Sequence, residues 1–129
     1  MNKPRKSRPD KPALLLRGRL WIDADGKPGL TEAGADLLEQ IDAHGSLSEA
    51  ARRLRFSYRR AWMLLDSMNR AWGEPLVITA TGGKKGGGAT LTDRGKTVLA
   101  AYRHIQVELE HFLDLQGQSL NQSLKSPLA

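Results

Sequence analysis

Apolar residues recur along this chain with two different periods, and each change of period marks a boundary. Leu14 to Ile22 reads as a short strand, followed by two turn signals, Asp25-Gly26 and Pro28-Gly29. From Thr31, whose hydroxyl can cap a helix, to His44, the residues Leu37, Leu38 and Ile41 share one face, and Gly45 ends the run. Ser46-Leu47-Ser48-Glu49 then opens a short second helix as a capping box, in which Ser46 and Glu49 satisfy each other's end amides. Ala50, Ala51 and Leu54 face inward there, Arg52 and Arg55 outward, and the helix gives out near Arg55-Phe56. Ser57 can cap a third helix, Tyr58 to Trp72. At ~100° per residue, Ala61, Leu64, Leu65, Met68 and Trp72 form an inner stripe, and Arg59, Met63, Asp66 and Arg70 lie opposite. Asp66 and Arg70 are spaced for a salt bridge, and Trp62, beside the stripe, reads as a packing residue.

After Gly73 the pattern turns strand-like. Pro75 to Thr79 and Thr90-Leu91 flank the stretch TGGKKGGGA (residues 81–89), which makes a β-hairpin with a glycine-rich basic tip. Thr92-Asp93 caps a last helix, 93–115, on which Val98, Tyr102, Ile105, Leu109 and Phe112 form a heptad seam flanked by Leu99 and Leu113. Such a helix is ~35 Å long at ~1.5 Å per residue. A domain this small does not cover that length, which favours pairing with a second copy; the alternative is a seam folded back on the first helix. The expected fold is mainly α with a small β-hairpin (α+β), a winged helix-turn-helix with a long C-terminal dimerisation helix. Residues 1–12 read as a disordered basic arm, 13–116 as the domain, and 117–129 as a flexible tail.

Composition narrows the function. With 129 residues and 40% hydrophobic positions there is room for one small domain. There is no cysteine, which excludes disulfides, iron–sulfur clusters, thiolate zinc sites and cysteine nucleophiles. No apolar run approaches the ~18 residues of a membrane span, and Ala13–Leu16 is too short for a signal peptide. The expectation is therefore a cytoplasmic protein without a membrane partner. The net charge of +6 is unevenly spread: +4 over residues 1–12, −4 over 13–49, +7 over 50–100 and −1 over 101–129. A concentrated positive block suits a polyanion, whose condensed counterions are released on binding.

Other chemistries fit poorly. Asp23 and Asp25 before Gly26 lack the later ligands of a calcium loop. Gly83 and Gly88 have the first spacing of a P-loop, but Ala89-Thr90 follows where Lys-Ser/Thr is needed. His44, His104 and His111 show no metal-binding spacing, no nucleophile elbow is present, and the carboxylates sit at caps and on helix faces. No enzyme, metal or cofactor is expected.

Three segments carry a family resemblance: Gly45-Ser46-Leu47-Ser48-Glu49-Ala50-Ala51, then Ser57-Tyr58-Arg59-Arg60-Ala61-Trp62, then Ala80 to Thr92 with its Thr-Gly-Gly-Lys-Lys-Gly-Gly-Gly core. Over roughly Leu20 to Leu113 the chain resembles the N-terminal DNA-binding region of ModE-type molybdate-responsive transcription regulators. The resemblance implies a winged helix-turn-helix that dimerises and regulates transcription, chiefly of genes for molybdate uptake or molybdoenzymes. Full-length members continue into β-rich molybdate-binding modules, whereas this chain ends about fifteen residues after the predicted last helix. A standalone DNA-binding form is implied, with any molybdate response resting on the resemblance alone and any effector sensed through a separate protein.

Together these readings assign double-stranded DNA as the partner of a homodimer that reads an inverted repeat. The candidate DNA-binding residues are Ser46, Arg52, Ser57, Tyr58, Arg59, Arg60, Met63, Arg70, Lys84 and Lys85. Arg59 and Arg60 sit where a recognition helix meets base edges, the serines offer hydroxyls to phosphates, and the lysines ride on the hairpin tip. The candidate dimerisation residues are Val98, Tyr102, Ile105, Leu109 and Phe112. The competing reading of the same charge is a non-specific nucleic-acid-binding structural protein.

Overall fold

The computed structural model describes residues 13–80 and 88–125. In chain order the elements are β1 (Ile22–Ala24), β2 (Lys27–Leu30), α1 (Glu32–His44), α2 (Leu47–Leu54), α3 (Tyr58–Ala71), β3 (Val77–Ala80), β4 (Gly88–Leu91) and α4 (Asp93–Lys125). The mainly α arrangement with a small antiparallel hairpin after the third helix is the one the patterning predicts. The chain divides into two units, Arg19–Gln106 and a smaller one made of the segments up to Gly18 and from Val107 onward.

The larger unit holds the core. Leu37, Leu38 and Ile41 of α1, Ala50 and Ala51 of α2, and Ala61, Leu65 and Met68 of α3 are buried together with Leu30, Leu76 and Tyr102. The helix starts follow capping chemistry. Thr31, Ser46 and Ser57 each accept a hydrogen bond from the amide three residues on, through their side-chain oxygens. Only half of the expected capping box forms, because the Glu49 carboxylate turns away from Ser46 to take hydrogen bonds from Arg52 and Arg53.

The β1–β2 hairpin turns at Asp25 and Gly26, both with positive φ (56° and 80°). This is the backbone that Asp-Gly pairs favour in two-residue hairpins. β1 begins only at Ile22, so the strand expected from Leu14 is not formed. Tyr102 donates its hydroxyl hydrogen to the carbonyl of Leu20 at 2.7 Å. Burial raises the pKa of that hydroxyl above 10, which keeps it a neutral donor.

In the smaller unit, Leu14 is held by a side chain. Asn121 accepts from the Leu14 amide at 3.0 Å and donates to the Leu14 carbonyl at 2.9 Å. This is the hydrogen-bond pair a neighbouring strand would have offered. Gly18 lies against Leu113 and Leu109, and Gly117 against Leu16. The helix extends to Lys125, ten residues past the expected end at 115 and through much of the segment expected to be a flexible tail. The arm, residues 1–12, lies outside the described residues.

Where β3 begins and α4 begins, two backbones nearly touch. A Cβ placed on Gly95 would stand 2.1 Å from the Leu76 carbonyl oxygen. In an ordinary helix Gly→Ala gains ~1 kcal/mol, but forcing an atom into a filled site costs ~1–3 kcal/mol. Here the obstacle is backbone, so the second effect wins. Gly95→Ala is expected to lower stability by about 2 kcal/mol in urea or thermal unfolding; a gain in stability would show that the two segments do not meet.

Candidate nucleic-acid interface

The candidate surface is built on α3. Its inner side, Ala61, Leu65 and Met68, is buried, so its rotation about its own axis is fixed. Arg59, Met63, Asp66 and Arg70, at 4-3-4 spacing, fall on the opposite side. Arg59 is exposed and has no acidic partner among the described residues. Arg60 lies with its guanidinium 3.9 Å from the centre of the Phe56 ring, a contact that holds it without neutralising it. Met63 is 56% exposed and Tyr58 56%. Trp62, expected to pack, is 49% exposed. Arg59, Arg60, Ser57 and Met63 border a concavity of about 520 Å³ whose other wall is Thr31 and Ala33 at the start of α1.

Arg52, Arg70, Ser57 and Ser46 each have a partner. Arg52 is clamped to Glu49 at 2.6 Å and Arg70 to Asp66 at 3.0 Å, the latter as expected. Ser57 accepts from the Arg60 amide at 3.0 Å, and Ser46 from that of Glu49 at 3.1 Å. This leaves the Ser57 O–H able to donate, whereas the Ser46 hydroxyl also shares a hydrogen bond with that of Ser48 at 3.2 Å. Lys84 and Lys85 lie outside the described residues.

The seam of α4 divides. Val98 and Tyr102 are buried in the domain's own core. Leu109 is half-buried beside Gly18. Ile105 and Phe112 are exposed, at 43% and 56%. A 4-3 repeat marks an apolar stripe but does not say what covers it.

Three features were not found in the sequence. Asn69 accepts from the amides of Leu76 (2.8 Å) and Val77 (3.3 Å) and donates to the Val77 carbonyl at 3.2 Å, fixing the start of the second hairpin to α3. An amide side chain inside a helix, where it is a poor helix former, was the available signal. Arg55 ends α2 in a left-handed conformation (φ 61°) and is exposed. Phe56 is the pedestal of Arg60. The hairpin is tied at its other strand too, where Ala89 donates to the Gly45 carbonyl at 3.0 Å.

Residues 34–96, from α1 through the hairpin, match the model of the bacterial regulatory helix-turn-helix proteins of the lysR family. The chain is 38% identical over 110 residues to the molybdenum transport protein ModE of Azotobacter vinelandii, spanning 85% of this chain and 41% of that protein. It is 42% identical over 85 residues to the molybdenum-pterin-binding protein MopB of Rhodobacter capsulatus, spanning 66% of this chain and 32% of that one. It is 42% identical over 66 residues to the DNA-binding transcriptional dual regulator ModE of Escherichia coli K12, spanning 51% and 25%. The chain carries a ModE-type winged helix-turn-helix domain. In fold it also resembles the S. aureus MepR G34K mutant, with a TM-score of 0.53 at 20% identity over 74% of this chain and 72% of that one.

The ModE-type domain spans less than half the length of these relatives. Within it, the helix-turn-helix is α2 and α3 and the wing is β3–β4. Among the described residues no group of three or more metal-ligating side chains gathers, and no helix is long and apolar enough to cross a membrane.

Glu49 governs how much of the α2 charge is available. Hydrogen bonds from Arg52, then Arg53, pull its carboxyl from 4.5 down to about 2. Its folded pKa lies below the unfolded value, so its contribution to stability is complete above pH 4.5 and is lost as pH falls from there towards 2. An NMR titration of the Glu49 carboxyl is expected to show a midpoint near 2; a midpoint in the ordinary range near 4.5 would mean that the two arginines are not held.

Proposed function

We propose that this domain is a sequence-specific DNA-binding module of a transcription regulator, acting by binding and not by catalysis. In this reading α3 enters the major groove with its Arg59–Met63–Arg70 side toward the bases, and the β3–β4 wing follows the flanking backbone. The observation that carries it is Arg59: an exposed guanidinium without an acidic partner among the described residues, in the first turn of a helix whose opposite side is locked in the core. An arginine so placed matches the paired acceptors of guanine and discriminates by ~1–3 kcal/mol. The Ser57 hydroxyl can donate to a phosphate oxygen, and the net charge of +7 over residues 50–100 supplies the sequence-independent attraction.

The module acts as a homodimer through apolar residues of α4 that its own core leaves uncovered, Ile105 and Phe112. Two copies then present two recognition helices ~34 Å apart to an inverted repeat. The names of the relatives support a molybdenum-linked set of target genes.

Duplexes selected by the purified protein from genomic fragments, with and without molybdate, test the reading. Two variants separate its parts. Arg59→Ala is expected to lower affinity for the selected site by ~10-fold or more while hardly changing affinity for random duplex. Lys84→Ala is expected to weaken both alike and to reduce the salt slope by about one ion. Equal losses on both duplexes for Arg59→Ala would remove Arg59 from base reading. Equal affinity of the unaltered protein for selected and random DNA would favour a non-specific binder.

A further inference from the structure

We infer that Met63 reads the methyl group of a thymine lying within about two base pairs of a guanine held by Arg59. The inference rests on the DNA-binding reading above and names what that surface selects.

Met63 stands at the middle of the outer side of α3, one turn from Arg59 and one turn from the Asp66–Arg70 pair. It is 56% exposed, while the helix's apolar packing is done on the other side by Ala61, Leu65 and Met68. The core does not call for an apolar side chain at position 63. Its neighbours on that side are two arginines and an aspartate, so it is an apolar spot in a charged setting. Asp66 is engaged by Arg70 at 3.0 Å, which leaves the space beside Met63 without a competing free carboxylate.

A side chain reading base edges meets only one apolar group in the major groove, the C5-methyl of thymine; the other edges there are donors and acceptors. A thioether has no strong donor or acceptor to offer them, and a flexible, polarisable chain adapts well to a methyl. The spacing then follows from geometry. Four residues of helix advance ~6 Å, and base pairs stack every ~3.4 Å. The two side chains therefore address positions one or two base pairs apart.

The test starts from a duplex selected out of a random library by the unaltered protein. Each thymine of that duplex is replaced in turn by deoxyuridine, which removes the methyl and leaves every hydrogen-bonding edge intact. One replacement, within about two base pairs of a guanine whose loss also lowers affinity, is expected to weaken binding ~4-fold, the value of one buried methyl. With Met63→Ala, at an exposed position and with folding checked by circular dichroism, that same replacement is expected to change nothing. A selected site whose deoxyuridine forms all bind like the parent overturns the methyl readout and leaves the DNA-binding reading standing. A methyl effect that persists in full in Met63→Ala overturns Met63 as the reader. A library that yields no enriched sequence overturns sequence-specific binding and this inference with it.

Discussion

The arrangement depends on the burial of Ala61, Leu65 and Met68 on one side of α3. Burying a Leu or Met side chain is worth ~1.5–3 kcal/mol, so turning the helix by one residue would forfeit several kcal/mol. It would also press Arg59 or Arg70 toward the core, where an uncompensated charge costs several more. The two penalties point the same way. The outward presentation of Arg59 and Met63 is thus a consequence of packing, needing no contact by either side chain. Ala50 and Ala51 on α2 are buried as well, and their small size lets the backbones of the pair come close together.

The wing is positioned by polar contacts of a different kind. Asn69 binds the amides of Leu76 and Val77, and Thr92 donates to the Pro75 carbonyl at 2.9 Å while accepting from the Gly95 amide at 2.9 Å. Gly95 admits the Leu76 carbonyl where any larger residue would collide. Ala89 is held to the turn between α1 and α2. Each bond is worth only ~1 kcal/mol net, yet losing one strands a partly buried backbone group at a cost of ~1–3 kcal/mol. The base of the wing is therefore fixed to α3, to the turn between α1 and α2 and to the start of α4.

What the sequence made legible was local chemistry. Thr31, Ser46 and Ser57 cap the helices they were expected to cap, and Asp25-Gly26 turns as its residues dictate, because each depends on a few neighbouring atoms. The inner stripe of α3 was equally readable, since a 3.6-residue period needs no knowledge of the partner. What escaped was whatever another part of the chain decides. Leu14 looks like strand, but its backbone is met by the side chain of Asn121, 107 residues away. The polar segment after 115 lacks an apolar period strong enough to mark it as helix, yet it continues α4 to Lys125. The heptad spacing of Val98 and Tyr102 was read correctly as an apolar stripe, while the residues covering it, in the domain's own core, lie outside any local window. At the surface, Arg59 and Met63 were found because the outer side of an amphipathic helix is computable, and Asn69 and Arg55 were missed because their roles depend on where the next element lies.

Net charge and available charge are different quantities here. Between residues 50 and 100, Arg52 and Arg53 share Glu49, Arg70 has Asp66 and Arg94 has Glu74. Each of these pairs is solvent-exposed and so contributes little to stability. A phosphate that releases a condensed counterion competes well with such a pair, so the paired arginines remain recruitable. Arg70, on the outer side of α3, can exchange Asp66 for a phosphate at little cost. Arg52 is different, because its carboxylate partner is held ionised by two arginines at once and stays near any approaching phosphate as a like charge. On these grounds the proposed DNA contact would begin with Arg59 and Arg60 and recruit Arg70 by exchange, while Arg52 serves mainly to offset Glu49.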